Sequence, residues 1–324
     1  MNIHKVLFIK RFDSKLFMLT LLSKLHPMKK IHVGFLLSYD FDKLRSSIPP
    51  VYKHADKIFI AQDENFLTWS GNKFEVDPAF FEWLKEFDVD NKIEIYRDNF
   101  YVPALTPIQN DTRERHMLSL KMGIGNWLVQ IDSDEYFVDF GSFVKQMRKY
   151  DSYLDNPEKT PVQLSGFHID IYKYVDEGIL YVKNTCKALY ATNYPNYKQA
   201  RQTRERIIYL DGFTFHESLS RSEKDLENKI NNWGHRDEVN PEFMDKWKRA
   251  NKDNYQEIKD VFYLNGTQWK ELGFVPVKKM EEIKRHFAQT KEMEITPFFL
   301  MKKNFGQWFK FLTKKTNHDY ESYF

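Results

Sequence analysis

The chain has 324 residues, 42% hydrophobic and 29% charged, with a formal net charge of +3. That length and apolar share support a real core in one large domain or two small ones, and so small a net charge gives no bulk field pointing to nucleic acid. The single cysteine, Cys186, excludes an internal disulfide and any multi-cysteine metal site; it fits a reducing cytosol and reads as a small packing residue.

Aromatic residues make up 16% of the chain. Core packing explains most of that share, with carbohydrate or membrane-interface contact as the functional alternatives. No stretch approaches the roughly 20 apolar residues that span a bilayer. Leu16 to Leu22 is apolar, but Lys10, Arg11, Asp13 and Lys15 precede it and no small-residue cleavage site follows. It reads as a short amphipathic or core helix, and export is not expected.

Residues 1–29 form a basic lead-in. From residue 30 the pattern is α/β. Ile31 to Leu37 reads as a buried strand. Lys57 to Ala61 is a second, ending at Gln62-Asp63, and Lys92 to Tyr96 a third, ending at Arg97-Asp98. Thr112 to Met122 reads as a helix with Asp111 as its N-cap. Trp127 to Ile131 is the next buried strand. Strands separated by helical or loop crossovers predict a mostly parallel sheet flanked by helices. Beyond Asp139 the texture changes: Gly141 to Tyr150 looks helical, and Val162 to Tyr172, Leu180 to Val182, Arg206 to Leu210 and Gly212 to Phe215 look extended. From Ser222 the chain is mostly helical and charged, so 30–240 is the expected catalytic unit and 241–324 a helical C-terminal extension.

The most informative stretch is Gln130-Ile131-Asp132-Ser133-Asp134-Glu135, where an apolar strand ends in three acids within four positions. Acids at the carboxyl end of such a strand stand where open α/β sheets bind ligands. Asp132 and Asp134, two apart, point the same way in an extended chain and suit a hard divalent cation. A solvated acidic turn would read the same. Asp63, at a strand end, suits a hydrogen bond to a base or ribose, or a turn cap. Arg113 and Arg115 suit phosphate or the acid cluster, or a solvated helix face. Phe215-His216-Glu217-Ser218 supplies a carboxylate fit for a general base and an imidazole fit for metal or phosphate. His235 follows Gly234 and could bend toward the sheet edge, although a lone histidine is more often structural. Neither a dinucleotide fingerprint, a Walker loop nor an HExxH motif occurs.

In order along the chain, Asp63, Thr112-Arg113-Glu114-Arg115, Gln130 to Glu135, His216-Glu217, Lys229 and Trp233-Gly234-His235 resemble the nucleotide-sugar glycosyltransferases of the GT-A fold. The closest look is to family-two enzymes of bacterial surface-polysaccharide and lipopolysaccharide-core assembly, and it covers roughly residues 30–240. The resemblance implies a Rossmann-like, mostly parallel sheet and transfer of a sugar from a nucleotide diphosphate, a UDP-sugar favoured, to a glycan or lipid-linked saccharide. It implies a "DxD" element in which Asp134 ligates Mn²⁺ or Mg²⁺, Asp132 reaches the ribose or the metal, and His216 or His235 completes the shell. Asp63, Arg113, Arg115, Asp132 and Ser133 would bind the nucleotide-sugar. Glu217 is the first choice of base, with Asp170 and Asp237 as alternatives, because the family's usual Glu-Asp pair is missing. Two further departures are Ser38-Tyr39-Asp40-Phe41-Asp42 after the first strand and Gln62-Asp63-Glu64-Asn65 in the base-contacting loop. A single displacement with inversion follows by analogy alone.

A metal-dependent phosphohydrolase or a non-catalytic glycan-binding protein on the same fold are the competing readings. Pro297 to Lys315 carries five lysines, no acid and many large apolar groups. That composition fits a helix lying on an anionic membrane, or one docking its aromatic face on the domain. The expected location is cytoplasmic, with peripheral contact at the inner face of the cell membrane as an option.

Overall fold

A computed structural model describes residues 29–232, 238–264 and 268–308. Strands β1 (Ile31–Leu37), β2 (Lys57–Asp63), β3 (Ile93–Asp98) and β4 (Trp127–Gln130) run parallel in the order β3-β2-β1-β4. All seven residues of β1 are buried, as expected of a strand covered on both faces. Helix α1 (Pro78–Phe87) starts with Asp77 accepting the Ala79 amide and Pro78 at its first position.

Helix α2 (Pro107–Met122) begins five residues earlier than the pattern predicts. A proline at the first position and a reciprocal cap between Thr106 and Gln109 fix its start. Asp111 is therefore not a cap; it lies inside the helix, 2.6 Å from Arg115 Nε. The helix ends at Gly123, whose φ of +90° disfavours side chains. It rides close over β1, so that a Cβ on Gly34 would stand 2.8 Å from Leu118.

Beyond β4 the sheet turns antiparallel. Strands β5 (Glu135–Phe137), β6 (Val162–Val175), β7 (Gly178–Val182) and β8 (Cys186–Thr192) continue it, with helix α3 (Phe140–Met147) between β5 and β6. A small hairpin, β9 (Tyr197–Gln199) and β10 (Gln202–Thr203), precedes β11 (Arg206–His216). β6 is long enough to serve both branches. Its first part lies between β8 and β11, and its end pairs with β7. β11 runs parallel to β6 and antiparallel to β5. Phe137, Phe140, Phe143 and Tyr190 pack edge-on or tilted between these elements, so core packing takes up much of the aromatic content.

After β11 come α4 (Glu223–Asn232), α5 (Phe243–Arg249), β12 (Leu272–Val275), α6 (Met280–Thr290) and α7 (Pro297–Trp308). The described residues past 240 hold three of these helices and also add β12 to the edge of the sheet beside β7. Lys173 on β6 donates to the Trp247, Lys248 and Ala250 carbonyls, capping the C-terminus of α5 with a cation. Among the described residues no helix is long and apolar enough to cross a membrane.

Candidate functional site

The acid run lies at the carboxyl end of β4, beside the ends of β1 and β2. Glu135 N–H donates to the Asp132 carbonyl, closing a turn through Ser133 and Asp134 into β5. Register then assembles the site. β5 opposes β11 with Glu135 against His216, and β6 opposes β11 with Asp170 against His216. Glu217 N–H donates to the Asp134 carbonyl at 2.9 Å. Residues 134, 170, 216 and 217, far apart in sequence, thus share one corner of the sheet.

Each of the three acids in the run meets a base. Asp132 accepts from Arg115 at 2.8 Å, and Asp134 Oδ2 accepts from Lys229 at 2.6 Å and Arg221 at 2.7 Å. Arg221 also donates to Asp40 at 2.9 Å. Glu135, 1% exposed, receives both terminal nitrogens of Arg201, a forked pair. Burial would raise the Asp134 carboxyl, but Lys229, His216 and Arg221 outweigh it and hold it well below the usual carboxylate range. Burial likewise opposes ionisation of Asp132, and Arg115 and Arg201 override it.

His216 Nδ1 lies 2.7 Å from Asp170 Oδ1, which leaves Nε2 facing Asp134 Oδ1 at 3.7 Å. Burial lowers the imidazole's proton affinity, but Asp170 and Asp134 more than reverse that. His168, stacked on His216 with ring centroids 4.6 Å apart, goes the other way: burial pulls it to about 4.

Glu217 faces a different space. Its Oε2 accepts from Lys43 at 2.7 Å and Tyr136 OH at 2.9 Å, and its Oε1 accepts from Tyr174 OH. Those three donors leave one of the roughly four acceptor positions of a carboxylate, on Oε1. A groove of about 650 Å³ lies against it, lined by Arg45, Pro49, Tyr136, Tyr174, Met280 and Lys284 among others. On the other side, Asp40, Asp63, Trp69, Glu114, Asp132, Ser133, Asp134 and Lys229 line a cleft with about 80 Å³ of free space. Helix α4 roofs that cleft. Its Lys229 reaches Asp134, and its Asn232 accepts from Thr68 and Asn72 at 3.1 and 2.8 Å.

The other expected residues fall as follows. Asp63 lines the cleft, but its carboxylate accepts four backbone amides, those of Asn65, Leu67, Phe100 and Tyr101. It anchors two loops and has little capacity left for a base. Arg113 donates to the Asn99 and Phe100 carbonyls, which ties α2 to the loop after β3. Asp170 supports His216 and does not reach the groove's lining. His235 and Asp237 lie outside the described residues. The Cys186 thiol is pushed up to about 12 by burial, which suits a packing residue rather than a nucleophile.

Sequence reading missed Arg201, Arg221, Lys43, Tyr136, Tyr174 and Glu114. Glu114 is notable because burial pushes its carboxyl up to about 8, although the Trp69 indole donates to it at 2.6 Å. It stands at the wall of the cleft. Residues 201–206, with three arginines and one acid, gave a sequence signal for Arg201, whereas residues 221–229 balance three bases with three acids and gave none for Arg221.

Asp134 and His216 suit a divalent cation in donor chemistry. An oxygen and an imidazole nitrogen converge, and the imidazole's other nitrogen is held by a carboxylate, the usual support of a metal-bound histidine. Among the described residues no group of three His, Cys, Asp or Glu side chains is placed to hold an ion unaided. The remaining positions would come from water and a diphosphate, as a magnesium-like ion prefers. No protein-family model matches this chain, and no curated protein matches it.

Proposed function

We propose that the chain is a GT-A type glycosyltransferase that moves a sugar from a nucleoside diphosphate to an acceptor hydroxyl. One observation carries the reading: the Asp132–Asp134 turn and Glu217 are bridged by a backbone hydrogen bond, with a polar cleft on one side and an open groove on the other. A transferase needs two substrate spaces meeting at one base, whereas a phosphohydrolase needs only the first.

The donor takes the cleft and the acceptor takes the groove. Asp134 and His216 would hold a Mn²⁺ or Mg²⁺ ion, which offsets the charge developing on the leaving diphosphate. Arg115 and Arg201 favour the ionised form of Asp132, and Arg201 fixes the Glu135 carboxylate in place. Glu217 takes the acceptor proton through the open position on Oε1, while Tyr136, Tyr174 and Lys43 fix its carboxylate. The acceptor oxygen bonds to the anomeric carbon as the bond from that carbon to the diphosphate oxygen breaks. Inversion is the outcome implied by likeness to family two. Ligand sites usually offer about 300–1,000 Å³, so the donor is admitted only when Lys229 and Asn232 withdraw with α4.

Calorimetry with UDP, GDP, CMP and dTDP, each with Mn²⁺, Mg²⁺ or chelator, tests this. One nucleotide should bind with metal present and lose at least tenfold in affinity in Asp134→Asn. Unchanged affinity in that variant, or silence from the whole panel, would refute the reading.

A further inference from the structure

Eight large apolar side chains are exposed among the described residues, and four of them stand on α7: Phe298, Met301, Phe305 and Trp308. Their spacing of three, four and three residues puts them on one stripe. The helix is fixed by its other side. Phe299 packs on Phe167 with centroids 5.6 Å apart, and the Asn304 amide exchanges two hydrogen bonds with the Tyr209 backbone, at 2.9 and 3.0 Å. Both sequence-based expectations for this helix therefore meet in it, a docked face and an outward apolar face.

The charge around the stripe is one-sided. Lys302 is exposed next to Met301, Lys303 is exposed with its ammonium over the Phe299 and Tyr209 rings, and residues 297–315 of the sequence hold five lysines and no acid. A large outward apolar stripe rimmed by cations complements an anionic lipid surface, where the rings enter the headgroup boundary and the ammonium groups meet phosphate. The same corner connects to the groove. An apolar pocket of about 280 Å³, walled by Ile169, Phe213, Phe287, Met293 and Ile295, shares Val138 and Lys284 with the groove that holds Glu217. Ile295 lies two residues before α7.

We infer that α7 lies flat on an anionic bilayer with its apolar stripe inserted, and that the acceptor is a lipid-linked saccharide held in that surface. The docking stands without the proposed transfer reaction; the lipid-linked acceptor rests on it. The apolar pocket receives the first part of the lipid, and the saccharide lies in the groove at Glu217.

Flotation of the full chain with vesicles tests the docking. It should float with phosphatidylglycerol-containing vesicles, weakly with phosphatidylcholine alone, and less at high salt. The double substitution Phe298→Glu and Met301→Glu, on outward positions, should leave melting unchanged and weaken flotation by roughly tenfold or more, since each side chain's burial is lost. Equal flotation of the variant, absence of flotation from the wild type, or a dimer in solution that the variant dissolves would overturn the proposal. The variant's nucleotide binding in solution checks the transferase reading separately. If docking holds but a water-soluble saccharide is used as well as its lipid-linked form, the acceptor half fails alone.

Discussion

Arg201→Ala is the sharpest test of how the site is held together. Arg201 is 13% exposed and Glu135 1%, and the guanidinium forks onto both carboxylate oxygens while also donating to the Gln130 carbonyl at 3.0 Å. Truncation leaves Glu135 with the Asp132 amide at 3.1 Å and His168 at 3.4 Å. His168 sits at about 4 because of burial, so it is neutral near pH 7 and a poor replacement. Breaking a buried pair by removing one partner is worth about 3–5 kcal/mol. Against a typical total of about 5–15 kcal/mol, that is a large fraction. Equilibrium urea unfolding at pH 7 should show the loss directly. Adding Glu135→Gln to Arg201→Ala removes the stranded charge and should restore half or more, a coupling of about 2 kcal/mol or greater. A single-variant loss below about 1 kcal/mol, or simple additivity in the double variant, would show that the pair does not hold the acidic turn.

Two further outcomes follow from the same geometry. Glu217→Gln should lower kcat about 10²-fold to 10⁴-fold while leaving donor affinity within about twofold, because its carboxylate faces the groove; parallel loss of donor affinity would remove Glu217 from the base role. Glu114→Gln should flatten the pH dependence of stability. Burial raises the folded carboxyl to about 8, helped by Asp111 and Asp63 and opposed by the Trp69 hydrogen bond and Arg115, against an ordinary value of 4.5. The folded state thus keeps a proton that the unfolded chain releases, so the stabilisation is whole below pH 4.5 and is lost as pH rises to about 8. At about 1.4 kcal/mol per pH unit the loss reaches about 5 kcal/mol at most. Urea unfolding at pH 5 and pH 8.5 should show a smaller difference for the variant, and equal differences would mean that Glu114 is ionised in the fold.

Period and turn chemistry made the parallel half of the sheet legible, since β1, β2 and β4 are mostly apolar runs and β3 alternates, and β2, β3 and β4 stop at polar residues. The acid run and His216-Glu217 were equally visible, because both end strands. What stayed hidden depends on pairing across distance. β5 is three residues long and starts inside the acid run, so it has no period to read; only β11, some eighty residues on, makes it a strand. The bases that neutralise the acids lie far along the chain: Arg201 is 66 residues from Glu135, Arg221 is 87 from Asp134, and Lys43 is 174 from Glu217. Asp63 shows the converse. Its place at a strand end was readable, but the four amides that occupy it come from two loops, and the second begins with Phe100, 37 residues from Asp63. A local sequence reports which side chains stand at the sheet edge, whereas the partner that each carboxylate finds decides what it can still do. Asp63 has spent its oxygens on the backbone and Asp134 has given one to Lys229 and Arg221. Glu217 keeps an open position toward a groove, so the transfer proposed for this chain rests on Glu217 and on whatever displaces Lys229.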